Sequence, residues 1–192
     1  MEDFVHLHVH TQYSLLDGQA SVPALVDKAI KDGMRGMAVT DHGNMMGIKE
    51  FFNYTNKKNG PIKKKISELE KALREAETAA AEPREPVEGE SPANPVDLDQ
   101  LRARIEEQKR RIFKPIFGCE MYVAARSRHQ KTKELDSRRF HLVVLAKNET
   151  GYHNLIKLVS HSWTEGFYNK PRTDHEDLEK YHEGLIVCWC GI

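Results

Sequence analysis

Near the start of the chain, Phe4-Val5-His6-Leu7-His8-Val9-His10 carries a histidine at every second position, with Val5, Leu7 and Val9 between. Side chains of a strand alternate sides, so this pattern predicts a strand with His6, His8 and His10 on one face and an apolar opposite face. Residues two apart sit roughly 7 Å apart at Cα, near enough for two ring nitrogens to chelate one divalent ion. Taken alone, one such pair reads equally well as surface histidines on a half-exposed strand. The segments that follow decide between the two.

Strand and helix signals alternate along most of the chain. Val22, Leu25, Val26, Ala29 and Ile30 recur at helical spacing, with Ser21 as N-cap and Pro23 in the first turn. Met37-Ala38-Val39-Thr40 reads as a buried strand and Ile48 to Asn56 as a helix. Pro115 to Val123 and His141 to Ala146 are strand-like, Gly151 to Ser160 is helical, Thr173 opens a short helix, and Gly184 to Cys188 reads as a last strand. A β-α-β-α order predicts an α/β fold with a parallel sheet or barrel, in which function sits on loops at the carboxyl ends of strands.

One stretch breaks this rhythm. From about Pro61 to Arg111, two amphipathic segments (Ile66, Leu69, Leu73; then Leu98, Leu101, Ile105 behind a candidate N-cap, Asp97) flank a run containing Pro83, Pro86, Gly89, Pro92 and Pro95. Helix, Pro-rich loop, helix predicts an antiparallel hairpin inserted into a surface loop, where added length costs little closure entropy. The expected organisation is therefore residues 1–60, an insertion over 61–112, and a continuation over 113–192. The insertion reads as a solvated appendage rather than as a carrier of chemistry.

This segment also explains a low apolar fraction, 39% against 30% charged residues in 192. Lys+Arg and Asp+Glu are 29 each, which argues against a basic nucleic-acid arm as the main theme. No apolar run approaches the ~20 residues of a membrane helix, and Met1-Glu2-Asp3-Phe4 lacks the basic start of a signal peptide. Three cysteines, Cys119, Cys188 and Cys190, are too few for a disulfide framework. The expectation is a cytoplasmic protein with reduced thiols and no membrane partner.

The strands deliver the chemistry. Met37-Ala38-Val39 leads into Thr40-Asp41-His42-Gly43; Glu120 stands among apolar neighbours, where burial without a partner is costly; His141 begins the next strand; Asp17 follows the first. Any one of these would read as a structural residue. Together with His8 and His10 they point to a multinuclear site of nitrogen and oxygen ligands. Imidazole and carboxylate without clustered thiolate suit catalytic Zn²⁺, Mn²⁺ or Fe²⁺. Two or more such ions suit metal-assisted hydrolysis of a phosphoester.

His8-Val9-His10-Thr11-Gln12-Tyr13-Ser14 and Thr40-Asp41-His42-Gly43 resemble the first two motifs of the PHP (polymerase and histidinol phosphatase) family. Further stretches, Ser14 to Gly18, Phe117 to Val123, Phe140-His141-Leu142 and Glu165 to Arg172, are similar to the N-terminal PHP domain of bacterial replicative polymerase alpha subunits. The resemblance implies a (β/α)7-type PHP barrel, incomplete here and carrying the inserted helical hairpin. It implies up to three divalent metal ions, Zn²⁺ or Mn²⁺, on His8, His10, Asp17, His42, Glu120 and His141. Asp41 would orient His42, His6 would have no ligand role, and Cys190 would be a further candidate ligand. The implied activity is a metal-dependent 3′–5′ proofreading exonuclease joined to a DNA polymerase. Mg²⁺ would serve the polymerase portion, and the partners would be DNA, a separate proofreading exonuclease subunit and the sliding clamp. Without the insertion about 140 residues remain, short of the ~200 of a full barrel, so the expectation is an N-terminal fragment of low stability. The alternatives are a stand-alone phosphatase of the histidinol-phosphate type and a non-catalytic, metal-stiffened module that binds replisome subunits.

Two further features are expected to be inert. The basic run Arg126, Arg128, Lys131, Lys133, Arg138 and Arg139 reads as a solvated loop in preference to a DNA track, and Trp163, Phe167 and Tyr168 read as packing residues.

Overall fold

Ser21 opens helix α1 (Val22–Lys31) by accepting a hydrogen bond from Ala24 N at 3.3 Å, with Pro23 in the first turn. Strand β1 (Gly36–Val39) follows, then α2 (Ile48–Ala81), α3 (Leu98–Arg110), β2 (Lys114–Ala124), the single turn α4 (Lys133–Asp136) and β3 (Arg139–Ala146). Helix α5 (Glu149–Thr164), β4 (Arg172–Thr173), α6 (His175–Lys180) and β5 (Leu185–Trp189) complete the order. The structure, a computed structural model, describes residues 4–15, 17–81 and 97–189. The Pro-rich run 82–96 and Cys190 lie outside the described residues. Among the described residues no helix is long and apolar enough to cross a membrane.

The chain divides into two compact units, Met1–Thr55 with Lys114–Ile192, and Asn56–Phe113. In the second, Ile66 and Leu69 of α2 pack on Ile105 of α3, flanked by Ile62, Leu73, Leu101 and Ile112. Asp97 caps α3 by accepting from Gln100 N. Asn59 clasps the Phe113 backbone, Nδ2 donating to the carbonyl at 2.8 Å and Oδ1 accepting from the amide at 3.0 Å. The sequence predicts two helices separated at Gly60-Pro61; instead α2 runs through Pro61. A proline inside a helix costs about 3 kcal/mol, and the apolar seam with α3 offsets it.

In the first unit β1 and β2 are parallel, Gly36 opposite Lys114 and Val39 opposite Phe117. Strand β3 returns antiparallel, Glu120 opposite Val143 and Tyr122 opposite His141, and β5 lies antiparallel against β3. Strand β4 pairs in parallel with Tyr122 and Val123. The sheet of five strands is therefore mixed, where the sequence predicts a parallel one. The cause is local: the connection from β2 to β3 contains no helix longer than the single-turn α4, whereas parallel strands are usually joined by a full crossover helix.

The first segment also departs from expectation, because Phe4 to His10 is not a regular strand. His6 O accepts from Ala38 N, but the next bond is Val9 O from Thr40 N, so three residues face two and the segment bulges. Thr40 Oγ1 secures the bulge, accepting from Val9 N at 2.9 Å and contacting Val9 O at 3.2 Å. His6 is diverted to an edge-on contact with Phe4, ring centroids 4.7 Å apart.

Period-two alternation sorts the two faces of β2 and β3. Cys119, Met121, Val123, Leu142 and Val144 pack with Leu155 and Leu158 of α5. Glu120 and Tyr122, with His141 and Val143 across from them, share the other face. Burial pushes the Cys119 thiol well above its ordinary pKa, so it serves as core.

The loop after β2 is held by buried charge. Arg172, 1% exposed, donates to the carbonyls of Gly166, Asp136, Arg128 and Gln130 at 2.9–3.2 Å. Arg126 makes a two-point pair with Asp136, and Arg128 pairs with Asp174 and Glu165. Two of the six cations expected to be solvated are thus structural. Asp174 also caps α6, accepting from Asp177 N.

Burial raises the Asp174 carboxyl, but bonds from the Arg128 and Asp177 amides and the Arg128 guanidinium outweigh it and hold the group below its ordinary value. Its contribution to stability is therefore complete above the unfolded value of about 3.9 and is lost as pH falls through the lower folded value. In Asp174→Asn the cap acceptor remains but the charge is gone. Urea midpoints should show the variant less stable than the parent at pH 6, with the gap closing below about pH 4.

Candidate metal centre

Glu120 is the hub of the site. It is 3% exposed, on the face of β2 away from α5, with β3 along one edge and the His42 segment bridged to the other. Glu120 N donates to Asp41 O, and Gly43 N donates to Glu120 O, so the turn after β1 is stitched to the residue it serves. Four imidazoles surround the carboxylate. Oε2 lies 3.2 Å from His8 Nε2, 3.0 Å from His10 Nε2 and 2.8 Å from His42 Nδ1, and Oε1 lies 3.1 Å from His141 Nδ1. His42 Nε2 in turn meets Asp17 Oδ2 at 2.8 Å.

All six side chains expected as ligands thus form one connected group. They are not equivalent. His8, His10 and Glu120 offer ligand atoms that all lie within 4.8 Å of one another. His141 joins through the other carboxylate oxygen, and the exposed Asp17 joins through His42. His6 takes no part in these contacts.

Asp41 has a different role from the expected one. Its carboxylate does not orient the His42 ring; Oδ1 accepts from Thr11 N and Ser14 Oγ, each at 2.7 Å, and Oδ2 accepts from Thr11 Oγ1 at 2.8 Å. Ser14 Oγ, having donated its proton to Asp41, accepts from His42 N at 3.1 Å and stands 2.8 Å from His10 Nδ1. A hydroxyl whose proton is committed can only accept from the ring, so His10 donates from Nδ1 to Ser14, which fixes the ring with Nε2 facing Glu120. Asp41 therefore acts on His10 through Ser14, and fixes the backbone of His42. Only coordinates reveal this, because Ser14 and Thr11 bear no periodic or charge signal.

The electrostatics follow from the crowding. Burial raises Glu120, but its bonds and charge interactions with His10, His8 and His42 prevail and hold it at about 2. The bond to Glu120 raises His10 against burial, while burial lowers His42 despite the nearby carboxylate. His42 Nδ1 and Glu120 Oε2, although 2.8 Å apart, form no properly directed hydrogen bond with one another. Two buried polar atoms that converge without satisfying one another are what a shared cation would relieve, and the imidazole–carboxylate donor set fits a divalent ion.

The turn carrying His42 is braced from outside. Gly43 has φ +60°, and a Cβ there would stand 2.7 Å from Pro171 and 3.4 Å from Tyr122. Trp163 Nε1 donates to Gly43 O at 2.7 Å. Trp163 and Phe167, expected as packing residues, pack on one another at the surface: they are 44% and 45% exposed, with ring centroids 5.6 Å apart.

A mixed α/β sheet presents imidazoles and carboxylates from several segments around one buried glutamate, a donor set that could hold a metal ion. The chain belongs to the PHP domain family, whose model matches residues 6–192. It is also similar to the DNA polymerase III alpha subunits of Borreliella burgdorferi (37% identity over 95% of this chain), Treponema pallidum (38% over 95%) and Thermus aquaticus (36% over 96%). The chain spans about 11% of the length of each of these relatives, corresponding to their N-terminal region.

The Asp41–Ser14–His10 relay has a measurable consequence. Removing the hydroxyl in Ser14→Ala frees the His10 ring to rotate and leaves Asp41 short of a donor. Partners of this type typically contribute about 10–100-fold in metal affinity. Competition titration of Mn²⁺ or Zn²⁺ against a chromophoric chelator should show a loss in that range with the helical content unchanged.

Proposed function

We propose that this chain is the PHP portion of a bacterial replicative DNA polymerase alpha subunit and a metal-dependent phosphoesterase that excises nucleotides from a 3′ end. The observation that carries the reading is the convergence of His8, His10, His42 and His141 on one buried carboxylate, Glu120. The polymerase setting is supported by the relatives, each a DNA polymerase III alpha subunit matched over nearly all of this chain.

In this reading His8, His10, Asp17, His42, Glu120 and His141 hold up to three ions of the Zn²⁺ or Mn²⁺ type. Such ions neutralise phosphate oxygens, supply a nucleophilic water at neutral pH and stabilise the leaving oxygen. The chain's own residues prepare the site. Glu120 keeps its negative charge among the imidazoles, Ser14 and Asp41 aim His10, and the bonds from Trp163 and to Glu120 set the Gly43 turn. Burial favours the neutral form of His42, which offers one nitrogen lone pair rather than charge.

The strands described here are read as part of a (β/α)7 barrel, and residues 61–112 as an insertion within it. DNA synthesis with Mg²⁺, contact with a separate proofreading exonuclease subunit and the sliding clamp, and a cytoplasmic location belong to the same proposal.

The test is excision of a mismatched 3′-terminal nucleotide by the full chain loaded with Mn²⁺ or Zn²⁺. Glu120→Gln removes the central charge at nearly constant volume. Because neighbours of ligands alone contribute about 10–100-fold, the rate should fall by more than about 100-fold. Chelator treatment of the parent should abolish excision, and Mn²⁺ should restore it. Excision by the Glu120→Gln variant at the parental rate would refute the assignment.

A further inference from the structure

Beside the His/Glu cluster lies a second grouping, of cations and exposed aromatic rings, that no step above uses. Tyr122 stacks on His42 with ring centroids 5.9 Å apart and meets His141 edge-on at 5.0 Å. The Arg139 guanidinium lies 5.6 Å, and the Lys170 ammonium 5.7 Å, from the centre of the same Tyr122 ring. Both cations are exposed, and among the described residues neither has a carboxylate partner. They differ in this from Arg126, Arg128 and Arg172, whose charges are consumed by Asp136, Asp174, Glu165 and backbone carbonyls.

The aromatic pair is tied to the same place. Trp163 bonds to Gly43 O, and the Gly43 Cα is closed in by Pro171, which follows Lys170, and by Tyr122. The half-exposed Trp163–Phe167 stack, the Tyr122 ring and the segment bearing Lys170 therefore meet around the residue after His42. Two unpaired cations one aromatic ring away from the candidate ligands have no function in binding the metal ions themselves. They are placed for an anionic group beyond the one at the cluster. A polyanion-binding track of cations interleaved with stacking surfaces is how single-stranded nucleic acid is held without sequence preference.

We propose that Arg139 and Lys170 hold the phosphate adjacent to the reacting one, and that the Trp163–Phe167 stack carries a base of the same strand. These are binding and positioning residues rather than metal ligands. The proposal rests on the phosphoesterase reading for what the track serves, but a binding measurement tests it without any turnover.

The measurement is fluorescence anisotropy of a labelled single-stranded oligonucleotide titrated with the full chain between 50 and 200 mM salt. Each phosphate contact on a single strand contributes about 0.7 to the slope of log affinity against log salt. Arg139→Gln with Lys170→Gln should therefore flatten the slope by about 0.7, the share of the one phosphate they hold, and Arg139→Lys should keep the parental slope. Lys64→Gln, on the exposed side of α2, should leave the slope as it is. Phe167→Ala should weaken binding at least about fivefold with the slope unchanged, because stacking carries no counterion release. Should the double variant misfold by circular dichroism, each single variant should flatten the slope by part of that share of about 0.7.

An unchanged slope in the Arg139 and Lys170 variants would overturn the proposal. So would no measurable binding by the parent chain, or a nucleoside monophosphate bound as tightly as the oligonucleotide with the same slope. Failure of excision alongside a flattened slope would count against the phosphoesterase reading and not against the track.

Discussion

The burial of one carboxylate among four imidazoles governs this structure. Glu120 is almost wholly removed from water, which by itself would make its charge untenable. It remains ionised because its interactions with His10, His8 and His42 outweigh burial, and His141 brings a fourth ring nitrogen within 3.2 Å. Those rings come from the bulged first segment, the turn after β1 and the edge of β3, so the carboxylate can be satisfied only when all three are in place. The chemistry of the site and the assembly of its frame are thus one constraint seen twice.

Strand β2 makes the constraint possible. Its alternate residues divide cleanly: Cys119, Met121 and Val123 enter the apolar layer beneath α5, while Glu120 and Tyr122 face the other way. Its two edges are used differently, one by β3 and the other by β1, the His42 bridge and β4 in succession. That sharing brings the Asp41–Gly43 turn alongside Glu120 and places Lys170 and Pro171 at the same end. Arg172, with its donors spent on four carbonyls, fixes the loop beyond β2 at the level of the site.

Much of the frame is legible in local sequence. Ser21, Asp97 and the apolar helical faces behind them mark helices that form where expected, because caps and periodicity act over a few residues. The apolar strands β1, β2 and β3 are equally plain. Strand direction is not, since it depends on what lies between two strands; only the turn-length α4 reveals that β3 comes straight back. Pro61 misleads for a related reason: the local penalty is real, but the seam that joins Ile66 and Leu69 to Ile105, a residue far along the chain, outweighs it. The strict alternation of Phe4 to His10 is undone by a bulge that Thr40 secures from another segment.

From its residues alone the chain determines an alternation of helices and strands and an unusual supply of imidazole and carboxylate at strand ends. Tertiary structure alone decides that the imidazoles share one carboxylate, that Asp41 reaches His10 through Ser14, and that among the described residues Arg139 and Lys170 have no carboxylate partner while Arg126 and Arg128 do. The physical reason is range. Caps, turns and periodicity are written in neighbours along the chain, whereas which charge meets which lone pair depends on segments more than a hundred residues apart arriving at the same few ångströms.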